Sequence, residues 1–353
     1  MSSIKQKKRF LTNMFTGAPM ERHGFFVNGG TRRRAWEIGD FATSKKPLKE
    51  FLPYVMETYL TSLEYYDLPG NDGIPMIDLD YGTHIFPVAF GAKHFIHGRN
   101  APCARALINN AAEADKLKEP ELENCRPLVR IIEMAKLAQS ELGPDAITGP
   151  PNFQTGFDIA CILWDKTDLY CSMYDSPDSV LRFTDKCSRL LIKFMKALKR
   201  ECPNSCLNSY TWSSLGPQVA NDECGNMNNE MFEFFCLPEL IVLSKEFGSL
   251  AMHCCADAQH QFESFKKVPN FYAFNRVPTG VGWEKDNALD VLGGPEGPVM
   301  VQNVMREGML TLQRVAPPGT RFVFNFHAAS LDEGKKWLEG AYNLTVKDGK
   351  ENE

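Results

Sequence analysis

The stretch Gly248-Ser-Leu-Ala-Met-His253-Cys254-Cys255-Ala-Asp257 is a short apolar run that ends abruptly in a histidine and two cysteines. Such a run reads as a buried strand, and α/β folds place their chemistry at strand ends. Imidazole and thiolate are ligands that zinc prefers, and a catalytic zinc needs only three protein ligands plus an open position. The same residues also read as a buried strand with two structural cysteines, since free cysteine is among the most buried residue types. The rest of the chain has to decide between them.

Working outward, helical periodicity covers 228–247 before the stretch and 257–266 after it. Strands then read at 270–274, 298–302 and 321–327, alternating with helices near 285–292, 303–315 and 331–343. Upstream, 145–149 and 206–211 read as strands, with helices at 155–164 and 177–201. Ser176, Pro177 and Asp178 open the second of these helices. The N-terminal part gives helices at 4–16, 47–66, 104–118 and 127–141. A first strand reads at 24–28, with further apolar segments at 74–80 and 93–97. Short apolar strands alternating with helices indicate a parallel sheet. About eight such units favour a (β/α)8 TIM barrel of the α/β class over an open doubly wound sheet. No G-x-G-x-x-G follows the first strand and no phosphate-loop lysine motif occurs. The expected organisation is one domain over 1–353, with an N-terminal helical extension at 1–23 and a polar tail at 344–353.

The chain has 353 residues and a formal net charge of −5, which argues against non-specific nucleic-acid binding. The basic start, Met1 to Arg9, lacks the apolar core of a secretory signal, and no run is long enough to cross a bilayer. Eleven cysteines without a repeating spacing read as reduced thiols in a cytoplasm. Together with 14 methionines they suit an anaerobic or strongly reducing cell. Cys202 and Cys206 flank a Pro-Asn-Ser turn that would allow a local pair.

Strand-end positions collect the candidates for chemistry. They are Asn28, Asp78, Asp80, Thr148, Tyr210, Trp212, Asp222, Glu223, His253, Cys255, Asn275 and His327. His253 and Cys255 on one strand, with His327 ending a late strand, could converge on one zinc ion. Asp222 or Glu223 could be a fourth ligand or an acid that protonates a leaving group; a solvated loop is the other reading. Tyr210 and Trp212 could line a pocket for an aromatic or corrinoid surface, or fill the barrel. His84, His94 and His97 read as packing or surface residues.

Several stretches resemble the uroporphyrinogen decarboxylase superfamily, and within it the zinc- and corrinoid-dependent methyltransferases. They are Arg9-Phe-Leu-Thr-Asn-Met-Phe-Thr-Gly-Ala-Pro-Met-Glu-Arg22, Gly149-Pro-Pro-Asn-Phe-Gln-Thr-Gly-Phe-Asp-Ile-Ala160, Asp175-Ser-Pro-Asp178, Met231 to Glu239, and His253-Cys-Cys255. The resemblance spans about 9 to 340. It implies a TIM barrel, a bound Zn2+ and a cytoplasmic enzyme working with a corrinoid protein; a homodimer is compatible with it. True uroporphyrinogen decarboxylases carry an arginine-rich loop after the first strand. Here the loop reads Val27-Asn-Gly-Gly-Thr-Arg-Arg-Arg34, with Asn28 where the first arginine falls. A polyanionic porphyrinogen would lose a bidentate partner there. The similar methyltransferases end their zinc set with a late cysteine. None follows Cys255, and His327 stands in about that place, so the implied set is His253, Cys255 and His327.

The resemblance implies methyl transfer between a small molecule and the cobalt of a corrinoid protein. A methoxy or methylamine donor is favoured because a mixed ligand set leaves zinc electrophilic. Asp222, Glu223 and Asp80 are the expected acid–base residues, and Asn28, Tyr210 and Trp212 the expected cofactor contacts. Methyl transfer from a methylated corrinoid to coenzyme M or another thiol is the first alternative. A metal-free decarboxylase relying on Asp78 or Asp80 is the second.

Overall fold

The computed structural model describes residues 3–29, 41–97, 101–278, 282–283 and 285–341. The arginines at 32–34 and the polar tail at 344–353 lie outside the described residues.

Among the described residues eight strands are formed: β1 (Gly24–Gly29), β2 (His94–Phe95), β3 (Cys103–Ala104), β4 (Gln218–Ala220), β5 (Leu250–Cys254), β6 (Phe271–Arg276), β7 (Val299–Asn303) and β8 (Phe322–Ala328). β2 and β3 make a small antiparallel pair. The other six form one parallel sheet in the order β1-β8-β7-β6-β5-β4. This is an α/β fold of the TIM-barrel type, with helices over the outer face.

In the first half of the chain, the helices are α1 (Ile4–Phe15), α2 (Leu52–Tyr66), α3 (Ile85–Ala89), α4 (Ala111–Lys116), α5 (Arg126–Leu142), α6 (Gly156–Leu163) and α7 (Lys166–Asp175). The second half adds α8 (Pro177–Glu201), α9 (Asn229–Phe235), α10 (Leu237–Phe247), α11 (Phe262–Phe265), α12 (Ala288–Leu292), α13 (Arg306–Val315) and α14 (Leu331–Ala341).

The apolar segments at 74–80 and 145–149 meet only in a single parallel bridge, Ile77–Thr148. Isolated backbone hydrogen bonds follow the arc from β1 to β4: Asp72 N to Phe25 O, Cys206 N to Thr148 O and Gln218 N to Leu207 O, each 2.8–2.9 Å. The expected strand at 206–211 is therefore an irregular turn. Its amides Asn208 and Ser213 donate to the Cys206 sulfur, and the regular strand comes later, at β4. Cys202 and Cys206 are free thiols, not a disulfide. The long helix expected at 228–247 breaks at Cys236, where Pro238 starts a new first turn. α7, unexpected from the sequence, is capped by the Asp165 side chain on the Asp168 amide.

Alternation along the strands sorts the core into two layers. Phe25, Phe274, Met252, Met300 and Phe324 pack outward under the helices. Phe26, Ala251, Ala273, Val299, Val301 and Val323 form a second cluster together with Leu11, Met14 and Phe15 of α1. The N-terminal helix thus closes one end of the barrel. Arg321 at the start of β8 pins it, donating to Met14 O at 2.9 Å.

His23, just before β1, is 1% exposed and sits edge-on between Phe322 and Phe324. Its Nδ1 accepts the Phe322 amide hydrogen at 3.3 Å. Burial lowers its pKa to about 4. Its folded-state pKa is below the unfolded value, so the neutral ring's stability is full above pH 6.5 and lost as pH falls towards 4. The loss from this residue should reach about 3 kcal/mol. Guanidinium melts at pH 7.5 and 4.5 should show this drop, and a His23→Gln variant, weaker at pH 7.5, should lose less on acidification.

Candidate active site

The inward-facing alternation becomes polar at the C-terminal end of each strand. Phe26 is followed two residues on by Asn28, Ala220 by Asp222, Ala251 by His253 and Cys255, Ala273 by Asn275, Val301 by Asn303, and Val323 by Asn325 and His327. Two adjoining pockets open there. One, of about 360 Å³, is lined by Asn152, Gln154, Gln218, Asp222, His253 and Asn303 among others. The second, of about 150 Å³, is lined by Tyr66, Asp78, Trp212 and His327 among others. Asn28, Asp80, Ser209, Tyr210 and Asn325 line both.

Asp222, His253 and Cys255 each offer a ligand atom, and all three atoms lie within 4.8 Å of one another. His253 Nε2 is 3.8 Å from Asp222 Oδ1. The imidazole is fixed from behind. Asn275 donates its Nδ2 to Val301 O at 2.6 Å, so its Oδ1 must accept, and it takes the His253 Nδ1–H at 2.6 Å. That leaves the Nε2 lone pair facing Asp222, the tautomer a metal ligand needs. Tyr210 stacks on the ring, centroids 5.5 Å apart, with its hydroxyl 3.0 Å from Nδ1. The Cys255 thiol is pushed up to about 12 by burial and by the adjacent Asp222 carboxylate. A bound cation would reverse that by favouring the thiolate.

Two further groups hold the backbone of the cluster. Asp158, fully buried on α6, accepts the amide hydrogens of Asp222 at 2.8 Å and Glu223 at 3.2 Å. Burial and the Asp222 charge raise its carboxyl well above the usual range. Arg276, paired with Asp286 at 2.6 Å with neither side chain exposed, donates to the carbonyls of Cys254 and Ala256, on either side of Cys255. Cys254 points the other way, with its sulfur 3.8 Å from that of Cys224.

The remaining candidates separate. Glu223 turns away from the cluster, one oxygen on Lys166 at 2.5 Å and the other on Tyr170 and Asn226 at 3.0 Å. His327 lies in the smaller pocket, its Nδ1 2.8 Å from Asn28 Oδ1, and is not part of the three-residue cluster. Asp80 accepts the Gly82 amide and donates its own to Asp78. Trp212 carries the Lys8 ammonium 5.2 Å from its ring centroid. His84 is buried against His94, and neither of these nor His97 lines the two pockets. The sequence reading passed over Asp158, Arg276 and Asn325. Asn325 could have been found, two residues before His327 on the same face of the strand.

The donor set of imidazole, thiol and carboxylate fits zinc. No family model and no curated protein matches the chain. Among solved structures, a methyltransferase from Methanosarcina mazei superposes with a TM-score of 0.68 at 12% identity, covering 95% of this chain and 98% of that one. A metallated homocysteine methyltransferase, MmuM from Escherichia coli, gives only 0.25 at 13% identity, over 67% of this chain and 96% of that one. The first likeness shows a shared fold; the second is too distant to carry an argument.

Because both Glu223 oxygens are engaged elsewhere, Glu223→Gln should cost about 1 kcal/mol of stability, a Tm loss of a few degrees. Metal content should be unchanged, whereas Asp222→Ala should lose it. Parallel thermal melts and elemental analysis check this.

Proposed function

We propose that this protein is a zinc-dependent methyltransferase that moves a methyl group between a small-molecule donor and the cobalt of a corrinoid carried by a partner protein. The observation that carries the reading is the Asp222–His253–Cys255 cluster at the polar mouth of a barrel fold shared with a methyltransferase. We assign the metal to these three side chains, with an open position facing the pocket. His327 is three strand spacings from β5, on the order of 14 Å along the sheet, and joins the donor pocket instead.

Zinc bound there would act as a Lewis acid on the group that leaves or as the activator of a thiol. A carboxylate in place of a second thiolate donates less charge, which favours the first role and hence a methoxy or methylamine donor. The protein's own part is positional. Asn275 and Tyr210 hold the imidazole, Asp158 holds the Asp222 backbone, and Arg276 holds the loop that presents Cys255. Asp80 and Asn28 belong to the pocket where the small molecule lies. Exposed apolar residues just beyond β6, β7 and β8 (Val277, Met305 and Leu331) give a rim that a partner protein would cover.

Purified protein should contain about one zinc per chain, lost in His253→Ala and Cys255→Ala. It should methylate cobalt(I) cobalamin from a methoxy or methylamine compound, measured by the change in the corrin spectrum. Transfer only from methylcobalamin to thiols would favour the reverse direction. Turnover that survives chelation and His253→Ala would sink the metal reading.

Asn275→Ala frees the imidazole to rotate and should weaken zinc binding by about 10–100-fold, read by competition with a chromogenic chelator.

A further inference from the structure

We infer that the pocket beside the metal cluster takes a small organic cation, a methylated ammonium carrying at least one N–H, in preference to a neutral ether or a carboxylate. The inference rests on the methyl-transfer reading and narrows its donor.

Charge is the first observation. Asp78 lines the smaller pocket and Asp222 the larger, and among the described lining residues there is no lysine or arginine, the Lys8 ammonium lying over the Trp212 ring. If Asp222 serves the metal, Asp78 still faces the smaller pocket. The Asp78 carboxylate accepts the Asp80 amide at 2.9 Å and has no cationic partner among the described residues. A substrate carboxylate would meet like charge there.

Hydrogen-bond demand is the second, independent observation. Asn325 is only 9% exposed and lines both pockets. Its Nδ2 is committed to Tyr210 O at 3.3 Å, which fixes the orientation of the amide. Its Oδ1 is buried with no hydrogen-bond partner. A buried acceptor left unpaired costs about 1–3 kcal/mol, so the ligand that fits supplies hydrogens. An ether oxygen supplies none; an ammonium supplies both the N–H and the positive charge. Tyr66 adds a ring of the kind that attracts methylated cations, whereas Tyr210 is stacked on His253 and Trp212 already carries the Lys8 ammonium.

The chemistry closes without an acid. The electron pair of cobalt(I) on the partner's corrinoid forms the new bond to the methyl carbon. The C–N pair returns to nitrogen, and the ammonium leaves as a neutral amine, whose newly freed lone pair is what a zinc ion held by Asp222, His253 and Cys255 would accept. No proton has to be delivered, consistent with Glu223 being tied to Lys166, Tyr170 and Asn226. A methyl ether would instead release an alkoxide or phenolate that needs stabilising.

The test is calorimetric titration of the full-length protein with dimethylammonium chloride, 1,2-dimethoxyethane and 4-methoxybenzoate. The cation should bind at least about tenfold more tightly than either of the others. Asp78→Asn and Asn325→Leu should each weaken it about fivefold or more, with zinc content unchanged and a cooperative melt retained. Tighter binding of the ether or the benzoate, or indifference to both substitutions, overturns the inference. Turnover with cobalt(I) cobalamin separates the two levels. Ether demethylation without cation binding sinks this inference and leaves the methyl-transfer reading standing. Cation binding without transfer to cobalt keeps the pocket assignment and sinks the reading above it.

Discussion

A single amide, Asn275, ties three neighbouring strands together at the mouth of the barrel. From β6 it donates to a carbonyl of β7 and accepts from the imidazole on β5. The arrangement depends on strand alternation. Asn275 follows the inward Ala273 by two residues, as His253 follows Ala251, so both reach the same layer of the barrel. Parallel pairing with His253 opposite Asn275 brings the two side chains level. A one-residue slip of β6 would turn Asn275 out towards the helices and Arg276 into the pocket. The register of the sheet therefore sets both the tautomer of His253 and the charge of the cavity.

Around this amide, buried charges fix the backbone that carries the other two candidate ligands. Glu239 of α10 accepts the amides of Gly156 and Phe157 at the start of α6. Asp158, one residue further on, accepts those of Asp222 and Glu223. Gly156 is required for this approach, because a β-carbon there would lie 2.7 Å from the Ser188 amide nitrogen of α8. On the other side Arg276 gathers two carbonyls around Cys255 and is neutralised by Asp286. Removing one partner of such a pair leaves an uncompensated charge, so these groups are costly to alter one at a time.

Much of the fold was legible because β1 and β5 to β8 are apolar runs with helices between them, and α8 was read with its observed limits. β4 was not legible. It has three residues, Gln218-Val-Ala, and lies behind a turn held by hydrogen bonds to the Cys206 sulfur. Nothing in the residue types of 206–220 shows where such a turn ends. α7 escaped for another reason: it buries only Leu169, Ser172 and Met173, too few to mark a helical face.

The same limits explain the site. His253 and Cys255 could be found because two residues on one face of one strand travel together whatever the rest of the fold does. The third member could not be chosen that way, because it depends on which strands are neighbours. His327 ends β8, three strands from β5 in the sheet, whereas Asp222 follows β4, which pairs directly with β5. The Cys255 amide even donates to Asp222 Oδ1 at 2.8 Å, so the loop after β4 is fastened to the loop after β5 without any metal. His327 is held instead by Asn28 across the β1–β8 pair. Strand adjacency favours Asp222 as the nearest carboxylate to the histidine and thiol, and leaves His327 to shape the pocket that faces them.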